Sequence, residues 1–365
     1  MLRILHLLYA GNTGGIEKLC KDIGLYADEK MESHFLFAHT GGKLYDEMEA
    51  AGLSVYRYSY ANKDIFPLRK EIKRLVKERN IDAVLIHHPA PLFWLACMPL
   101  MKKKGMPVFM VYAHNNYQEL TGHTGWKRFL YNRLLKKSAG TIAISNFVKD
   151  SVVNGSGVNA NKVHVVYNGV HVEDYKEVAS NKADGKIRLL YLGRLIEKKG
   201  VQVLLEAMKL LKNETGITLS VVGDGPYKET LVSYVKDNGL EDTVTLHGEQ
   251  RNVVTFMQEA DAFIHPAVWE EGFGITLIEA MSAGLPCVAF NRGALGEIIV
   301  QDETGYLIDG ISAGKLSETI LQLRDMDKEA FANMKRAARE RSRDFSVDKL
   351  LEQLSTAVKE CMDER

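Results

Sequence analysis

Short apolar runs alternate along this chain with longer stretches of helical period. Residues 3–9, 35–39, 55–58, 83–87, 107–113, 141–145 and 163–167 are runs of the first kind. They are apolar at consecutive rather than alternate positions, which is the pattern of strands buried on both faces of a parallel sheet. Segments 17–28, 45–51, 66–78 and 126–137 read as helices. Another helix starts after Ser145, whose hydroxyl suits an N-cap. Residues 173–185 are polar and charged with no apolar period, the mark of a domain boundary. A second series follows, with strands expected at 187–192, 218–222, 244–246, 262–265, 286–290 and 305–308. Helices are expected at 227–238, 253–259, 275–283, 328–343 and 347–362. The pattern predicts an α/β protein with a first domain over 1–172, a linker over 173–186, a second domain over 187–346 and a final helical segment, 347–365.

Bulk properties agree with two soluble domains. A chain of 365 residues exceeds the range in which a single core keeps growing. Lysine plus arginine and aspartate plus glutamate number 47 each, so no global field points to nucleic acid. Residues 1–175 nevertheless carry 23 basic and 16 acidic side chains, a net of +7, and the remainder carries −7. A basic amino half suits an anionic surface or ligand. Cys20, Cys97, Cys287 and Cys361 are scattered, as reduced buried thiols of a cytoplasmic chain would be. The apolar start is too short for a signal peptide, and no run is long enough to span a membrane.

The most informative stretch is 260–290. A short strand stops at Pro266, a loop carries Glu270, Glu271, Gly272 and Gly274, and a helix over 275–283 ends at Gly284-Leu285-Pro286 before the next strand. This βαβ unit favours a ligand at the carboxyl ends of its strands. The glycines admit close approach, and bare amides at a helix start suit phosphate. Glu279, inside the helix, suits hydroxyls instead, because one carboxylate can accept both protons of a diol. A ligand with phosphate and hydroxyl-rich parts is a nucleotide-sugar. Ahead of this stretch, Gly193-Arg194 and Lys199-Gly200 follow a strand and place two cations at its end. Gly223-Asp224-Gly225 makes a turn after the next strand. In the first domain, Gly11 to Gly15 forms a glycine-rich turn into a helix that can cradle diphosphate, although it lacks the G-x-G-x-x-G spacing of a dinucleotide site.

The string Glu271-x7-Glu279-Ala-Met-Ser-Ala-Gly-Leu-Pro-Cys-Val, with the G-R-x-x-x-x-K-G pattern at 193–200, resembles the retaining GT-B glycosyltransferases of the family 4, group 1 type. The resemblance implies two Rossmann-like domains facing across a cleft, with the last helix crossing back to the first, acceptor-side domain. It implies donor contacts from Gly14, Gly15, Gly193, Gly223, Gly225, Gly272, Phe273, Gly274 and Glu279, with Glu279 on the ribose. Arg194 and Lys199 would neutralise the leaving diphosphate without metal or other cofactor. Glu271 would bind donor sugar hydroxyls, and His114, at the end of a strand, would line the sugar site. A front-face reaction follows from the same resemblance, the leaving phosphate helping to take the acceptor proton.

Three further features bear on metal and membrane binding. His87-His88 raises a metal question, but no Asp, Glu or Cys stands at ligand spacing nearby, so these histidines read as loop or site-lining residues. Asp325-Met-Asp327 matches D-x-D yet lies between helical segments, away from any strand end, so no metal is expected there. The helix 126–137 is basic and carries Trp126 and Phe129; packing on the domain is the preferred reading, with peripheral contact to anionic lipid at the inner face of a membrane as the alternative. The function expected is transfer of a hexose or N-acetylhexosamine from a UDP-sugar, before a GDP-sugar, to a saccharide or lipid-linked saccharide in bacterial surface glycan assembly. Acceptor recognition falls to first-domain loops such as 39–44, 60–66 and 114–126. A nucleotide-sugar 2-epimerase and a non-catalytic sugar-nucleotide-binding protein are the alternatives, while the missing fingerprint glycines disfavour a dehydrogenase.

Overall fold

The computed structural model describes residues 1–11, 14–39, 42–58, 64–122, 125–175 and 185–364. Parts of the expected acceptor loops (40–41, 60–63 and 123–124), residues 12–13 of the expected glycine-rich turn and residues 176–184 of the expected linker lie outside this set. The chain forms two compact units, one made of Met1–Gly169 with Val347–Arg365, the other of Val170–Ser346.

Among the described residues the first unit holds a seven-stranded sheet of β1 (Leu2–Leu8), β2 (Met31–Phe37), β3 (Ser54–Arg57), β4 (Ala83–Ile86), β5 (Val108–Ala113), β6 (Gly140–Ala143) and β7 (Val163–Val165), in the order β3-β2-β1-β4-β5-β6-β7. The second holds β8 (Ile187–Leu192), β9 (Ile217–Val222), β10 (Val244–Gly248), β11 (Ala262–His265), β12 (Cys287–Phe290) and β13 (Gly305–Ile308), in the order β10-β9-β8-β11-β12-β13. Every pairing in both is parallel. Each order reverses once, between β1 and β4 and between β8 and β11. Such switch points open a crevice at the carboxyl ends of the strands.

The continuous apolar runs become strands covered on both faces. In the second unit Leu189, Tyr191, Val221, Ile264 and Val288 from the sheet pack with Leu204, Leu231, Ile320 and Phe331 from helices. Each such side chain contributes roughly 1.5–3 kcal/mol on burial. The final helix, Val347–Asp363, belongs to the first unit and buries Leu350, Leu354, Val358 and Cys361. Its Gln353 Oε1 accepts the Tyr167 backbone N–H at 3.1 Å, so β7 stops at Val165 instead of reaching 167 as expected.

Other differences are local. The loop expected after β4 is cut short by a helix, Pro91–Cys97, with Pro91 in its first turn where the missing N–H costs nothing. Helices Val201–Leu210 and Ala313–Asp325 are additions to the sequence reading. Ser145 caps its helix, accepting from Val148 N at 3.1 Å. Asp325 pairs with Arg324, and Asp327 caps the helix Lys328–Ser342, so the D-x-D match is occupied by structural roles. On the helix Gly125–Lys137, Leu134 and Leu135 are buried, but Trp126 and Phe129 are 55% and 61% exposed. The packing reading therefore holds for one end only.

Both units use one device to fix their switch points. Asp82, just before β4, accepts the backbone N–H of Arg3 in β1 at 2.8 Å. Asp261, just before β11, accepts the backbone N–H of Arg188 in β8 at 2.9 Å, and the Arg188 guanidinium grips both of its oxygens at 3.0 Å. Asp261 is buried, so the carboxylate is stable there because all of these donors are present. Asp261→Ala is expected to lower stability by about 2 kcal/mol, and Asp261→Asn, which retains an acceptor for the backbone N–H, by less. Urea unfolding followed by circular dichroism checks this; equal midpoints for wild type and Asp261→Ala would remove the ion pair from the account.

Candidate active site

In the second unit the loop after β8 and the loop after β11 are locked together. The Val268 N–H donates to the Lys198 carbonyl at 3.1 Å, and the Lys198 ammonium sits 3.7 Å from the centre of the Trp269 ring. Gly200 has φ +75°, and a Cβ there would collide with the Pro266 carbonyl oxygen. Only glycine allows this approach. The loop after β8 is also laced to the turn after β9. Leu195 N donates to the Asp224 carbonyl at 2.9 Å, and Gly223, at φ +142°, lies so close to the Gly193 carbonyl that no side chain fits. Gly193, Gly223 and Gly225 thus form one backbone wall.

The result is a charge pair at the switch point. Lys199 Nζ lies 2.5 Å from Glu271 Oε1, with Glu271 largely buried. His265, at the end of β11, places Nε2 3.6 Å from the same oxygen, and its two ring nitrogens are buried without a hydrogen-bond partner among the described residues. Burial opposes ionisation of Glu271, but the His265 imidazole and the Lys199 ammonium outweigh it and hold the carboxyl at about 2. Burial keeps His265 below its ordinary value, against the pull of Glu271. Tyr191, raised by burial and by the Glu271 charge, donates its hydroxyl proton to the Arg194 carbonyl at 3.0 Å. The Arg194 side chain is exposed. Neighbouring Glu270 is structural: it accepts from Gly293 N at 2.9 Å and pairs with Arg292 at 3.0 Å.

Gly274, at φ +119°, precedes the helix Ile275–Ser282 and leaves its first amides at the loop, beside Gly272. Two residues expected at the donor have partners within the protein. Phe273 is buried edge-on against Phe345, ring centres 5.6 Å apart, so only its backbone can serve a donor. Glu279 is buried and accepts the Tyr175 hydroxyl at 3.0 Å. Tyr175 falls in the expected linker but is buried in the second unit, its carbonyl accepting from Arg339 at 3.1 Å.

Gly14, Gly15 and His114 lie in the first unit. Gly14 precedes the helix Gly15–Tyr26, and the Glu17 carboxylate folds back against it. His88 Nδ1 accepts from Tyr9 N at 3.3 Å, which places its proton on Nε2, 3.3 Å from Glu17. A carboxylate at this turn suits hydroxyls better than phosphate. His114 follows β5 and is 7% exposed. Its Nε2 lies 2.9 Å from His87 Nδ1, and His87 Nε2 lies 2.9 Å from His6 Nδ1 in β1. Burial first, then neighbouring histidines, drives all three pKa values down: to about 3 in His6 and His114, and well below the ordinary value in His87. All three are neutral at pH 7. The fold also brings Cys20 to His87, which corrects the expectation that no cysteine stands near. Its Sγ is 3.8 Å from both ring nitrogens, off the lone-pair direction of either, and burial, then Glu17 and Asp22, push the thiol up. The His6, Cys20 and His87 ligand atoms all lie within 4.8 Å of one another.

The sequence matches two families in tandem, Glycosyltransferase Family 4 over residues 13–174 and Glycosyl transferases group 1 over residues 173–341. The chain belongs to these glycosyltransferases, and its two Rossmann-like units are of the GT-B class. It is 27% identical over 355 residues, 90% of this chain and 89% of the relative, to the N-acetyl-alpha-D-glucosaminyl L-malate synthase of Bacillus anthracis. It is 29% identical over 201 residues to the amylovoran biosynthesis glycosyltransferase AmsK of Erwinia amylovora, a match spanning 53% of this chain and only 49% of that relative. Among solved structures it is similar to Anabaena Alr3699/HepE in complex with UDP, with a TM-score of 0.85, 20% identity and coverage of 98% and 100%. In the described residues no helix is long and apolar enough to cross a membrane.

The Glu271 shift has a measurable consequence. Its folded-state pKa lies below the ordinary carboxylate value of 4.5, at about 2. The stabilisation is complete above the ordinary value and is lost as pH falls from there toward 2. Glu271→Gln is therefore expected to flatten the pH dependence of stability across that window while leaving it unchanged between pH 6 and 8. Urea midpoints at a series of pH values read this; parallel curves for the two proteins would contradict it.

Proposed function

We propose that the chain is a retaining glycosyltransferase that needs no metal ion. It would move a hexose or N-acetylhexosamine from a nucleoside diphosphate sugar to a saccharide or lipid-linked saccharide. The observation that carries this is the Lys199–Glu271 pair, set between glycine-lined backbone and the start of the helix Ile275–Ser282. Lys199, Arg194 and the helix amides supply positive potential for a leaving diphosphate. Glu271, held ionised and oriented by Lys199, accepts hydrogen bonds from donor sugar hydroxyls. Glu279 accepts from the ribose as well as from Tyr175, since a carboxylate offers about four acceptor positions. Among the described residues Glu271 pairs with a lysine and a histidine, and the adjacent carboxylate, Glu270, is taken up by Gly293 and Arg292, which disfavours a glycosidase-like double displacement. In the front-face course the acceptor oxygen bonds to the anomeric carbon, the bond from that carbon to phosphate oxygen breaks, and the acceptor proton passes to the departing phosphate. The first unit serves the acceptor.

UDP is favoured over GDP because HepE is solved with UDP, with UDP and glucose, and with UDP-glucose. Surface polysaccharide assembly draws support from the name of AmsK. Peripheral contact with an anionic inner membrane surface through Trp126, Phe129 and the basic side chains of their helix belongs to the same reading. Co-sedimentation with anionic vesicles, lost in a Trp126→Ser/Phe129→Ser double variant, tests that part; no sedimentation of the wild type removes it.

The central test uses the full chain with UDP-glucose, UDP-N-acetylglucosamine and GDP-mannose, each offered with a panel of saccharide acceptors. Expected are acceptor-dependent release of a nucleoside diphosphate, no loss with chelator, and a product that keeps the donor's anomeric configuration by NMR. Lys199→Ala and Glu271→Ala should each lower kcat roughly 100-fold or more. An inverted product would overturn the retaining course, and chelator sensitivity the metal-free one. Turnover of the donor without any acceptor would favour an epimerase.

A further inference from the structure

The three-histidine chain of the first unit has only two arrangements of its protons. A neutral imidazole carries one N–H, and each of the two contacts in the chain must hold one proton. If His87 carries its proton on Nδ1, it donates to His114 Nε2, and His6 Nδ1–H donates to His87 Nε2. His114 then carries its own proton on Nδ1, and His6 Nε2 is a bare lone pair. If His87 carries its proton on Nε2, every bond reverses, His6 must hold a proton on Nε2, and His114 Nδ1 becomes the bare lone pair.

The far end of the chain decides between them. His6 is fully buried, stacked on Phe35 with ring centres 4.9 Å apart, and its Nε2 has no hydrogen-bond partner among the described residues. A buried N–H without an acceptor is the rarer and costlier defect, compared with a buried acceptor that lacks a donor. The first arrangement leaves only the acceptor unsatisfied. We propose that His6 and His87 are positioning residues that hold His114 in the Nδ1–H form, so that His114 offers the reactants a hydrogen-bond donor rather than a general base. The proposal rests on the reading of His114 as a sugar-site residue, and it adds which proton His114 carries and what sets it.

The chemistry follows. A donor on Nδ1 can bind a sugar hydroxyl oxygen or an oxygen that gains negative charge as the bond to phosphate breaks. It cannot take the acceptor proton, which accords with that proton leaving on phosphate. Neither His6 nor His87 needs to touch a reactant; they act through one nitrogen of His114 to define the other.

The experiment is a long-range proton–nitrogen correlation spectrum of the full chain labelled with nitrogen-15 histidine at pH 7, with His114→Gln used to assign the ring. Expected is the Nδ1–H signature for His114. An Nε2–H signature overturns the proposal whether or not the protein transfers sugar. His6→Leu leaves His87 Nε2 against an apolar wall, where a bare lone pair is again preferred to a bare N–H, so His114 should keep the Nδ1–H form. His6→Asp, whose carboxylate accepts from His87 Nε2–H, should reverse the chain and convert His114 to the Nε2–H form, with about a tenfold fall in kcat and little change in KM for the donor. His6→Asn, whose side-chain N–H₂ can donate to His87 Nε2, should keep both the wild-type signature and most of the turnover. If His6→Asp leaves the His114 signature unchanged in a folded protein, the chain does not set the tautomer. If the signature is as expected but His114→Gln transfers sugar at the wild-type rate, the placement of His114 among the reactants fails and the tautomer assignment stands.

Discussion

A parallel sheet covered on both faces has nowhere to put polar chemistry except at the ends of its strands, and the rest of this protein follows from that constraint. The strands are apolar along nearly their whole length, and the charged and glycine-rich segments begin where they stop. Arg194 and Lys199 follow β8, Glu271 follows β11, and His87 and His114 follow β4 and β5. The strand order reverses beside β1 and β4 in one unit and beside β8 and β11 in the other, so these loops diverge and leave their side chains room. Asp82 and Asp261 fasten the two central strands at the opposite end. They keep the switch points fixed without entering the chemistry.

The Lys199–Glu271 pair shows how burial and charge are balanced. Desolvation alone would raise the Glu271 pKa, yet the groups around it hold the carboxyl at about 2. The pair stands because two loops are pressed together by backbone contacts that tolerate no side chain at Gly200. The glycine is thus as much a part of the site as the charges, since it lets the two loops close to where the His265 imidazole and the Lys199 ammonium together outweigh the desolvation.

The first unit solves the problem of buried polar groups differently. His6, His87 and His114 satisfy one another in a row, and neutrality is the condition for it, because a cation at any member would face the others across a few ångströms of low dielectric. Such a row converts the packing of a core position, His6, into a chemical property of a residue at the surface of the strand ends. Cys20 stands beside the row, its Sγ 3.8 Å from both ring nitrogens of His87.

Much of this was legible in the sequence. Consecutive apolar positions dictate parallel strands, the polar stretch after 172 separates two series, and glycines with charges after a strand mark a candidate site, all from information within a few residues of each position. The partnerships lie beyond that range. His6 and His87 are 81 residues apart, Tyr175 and Glu279 are 104, and Lys199 and Glu271 are 72. Nothing local shows that Phe273 turns away into Phe345, that Tyr175 leaves the linker to bind Glu279, or that Cys20 meets His87. The sequence by itself determined which residues sit at strand ends, because local periodicity places every turn. Only the tertiary structure decided which of those residues face one another, because strand order and register bring distant loops together and burial then fixes their protons.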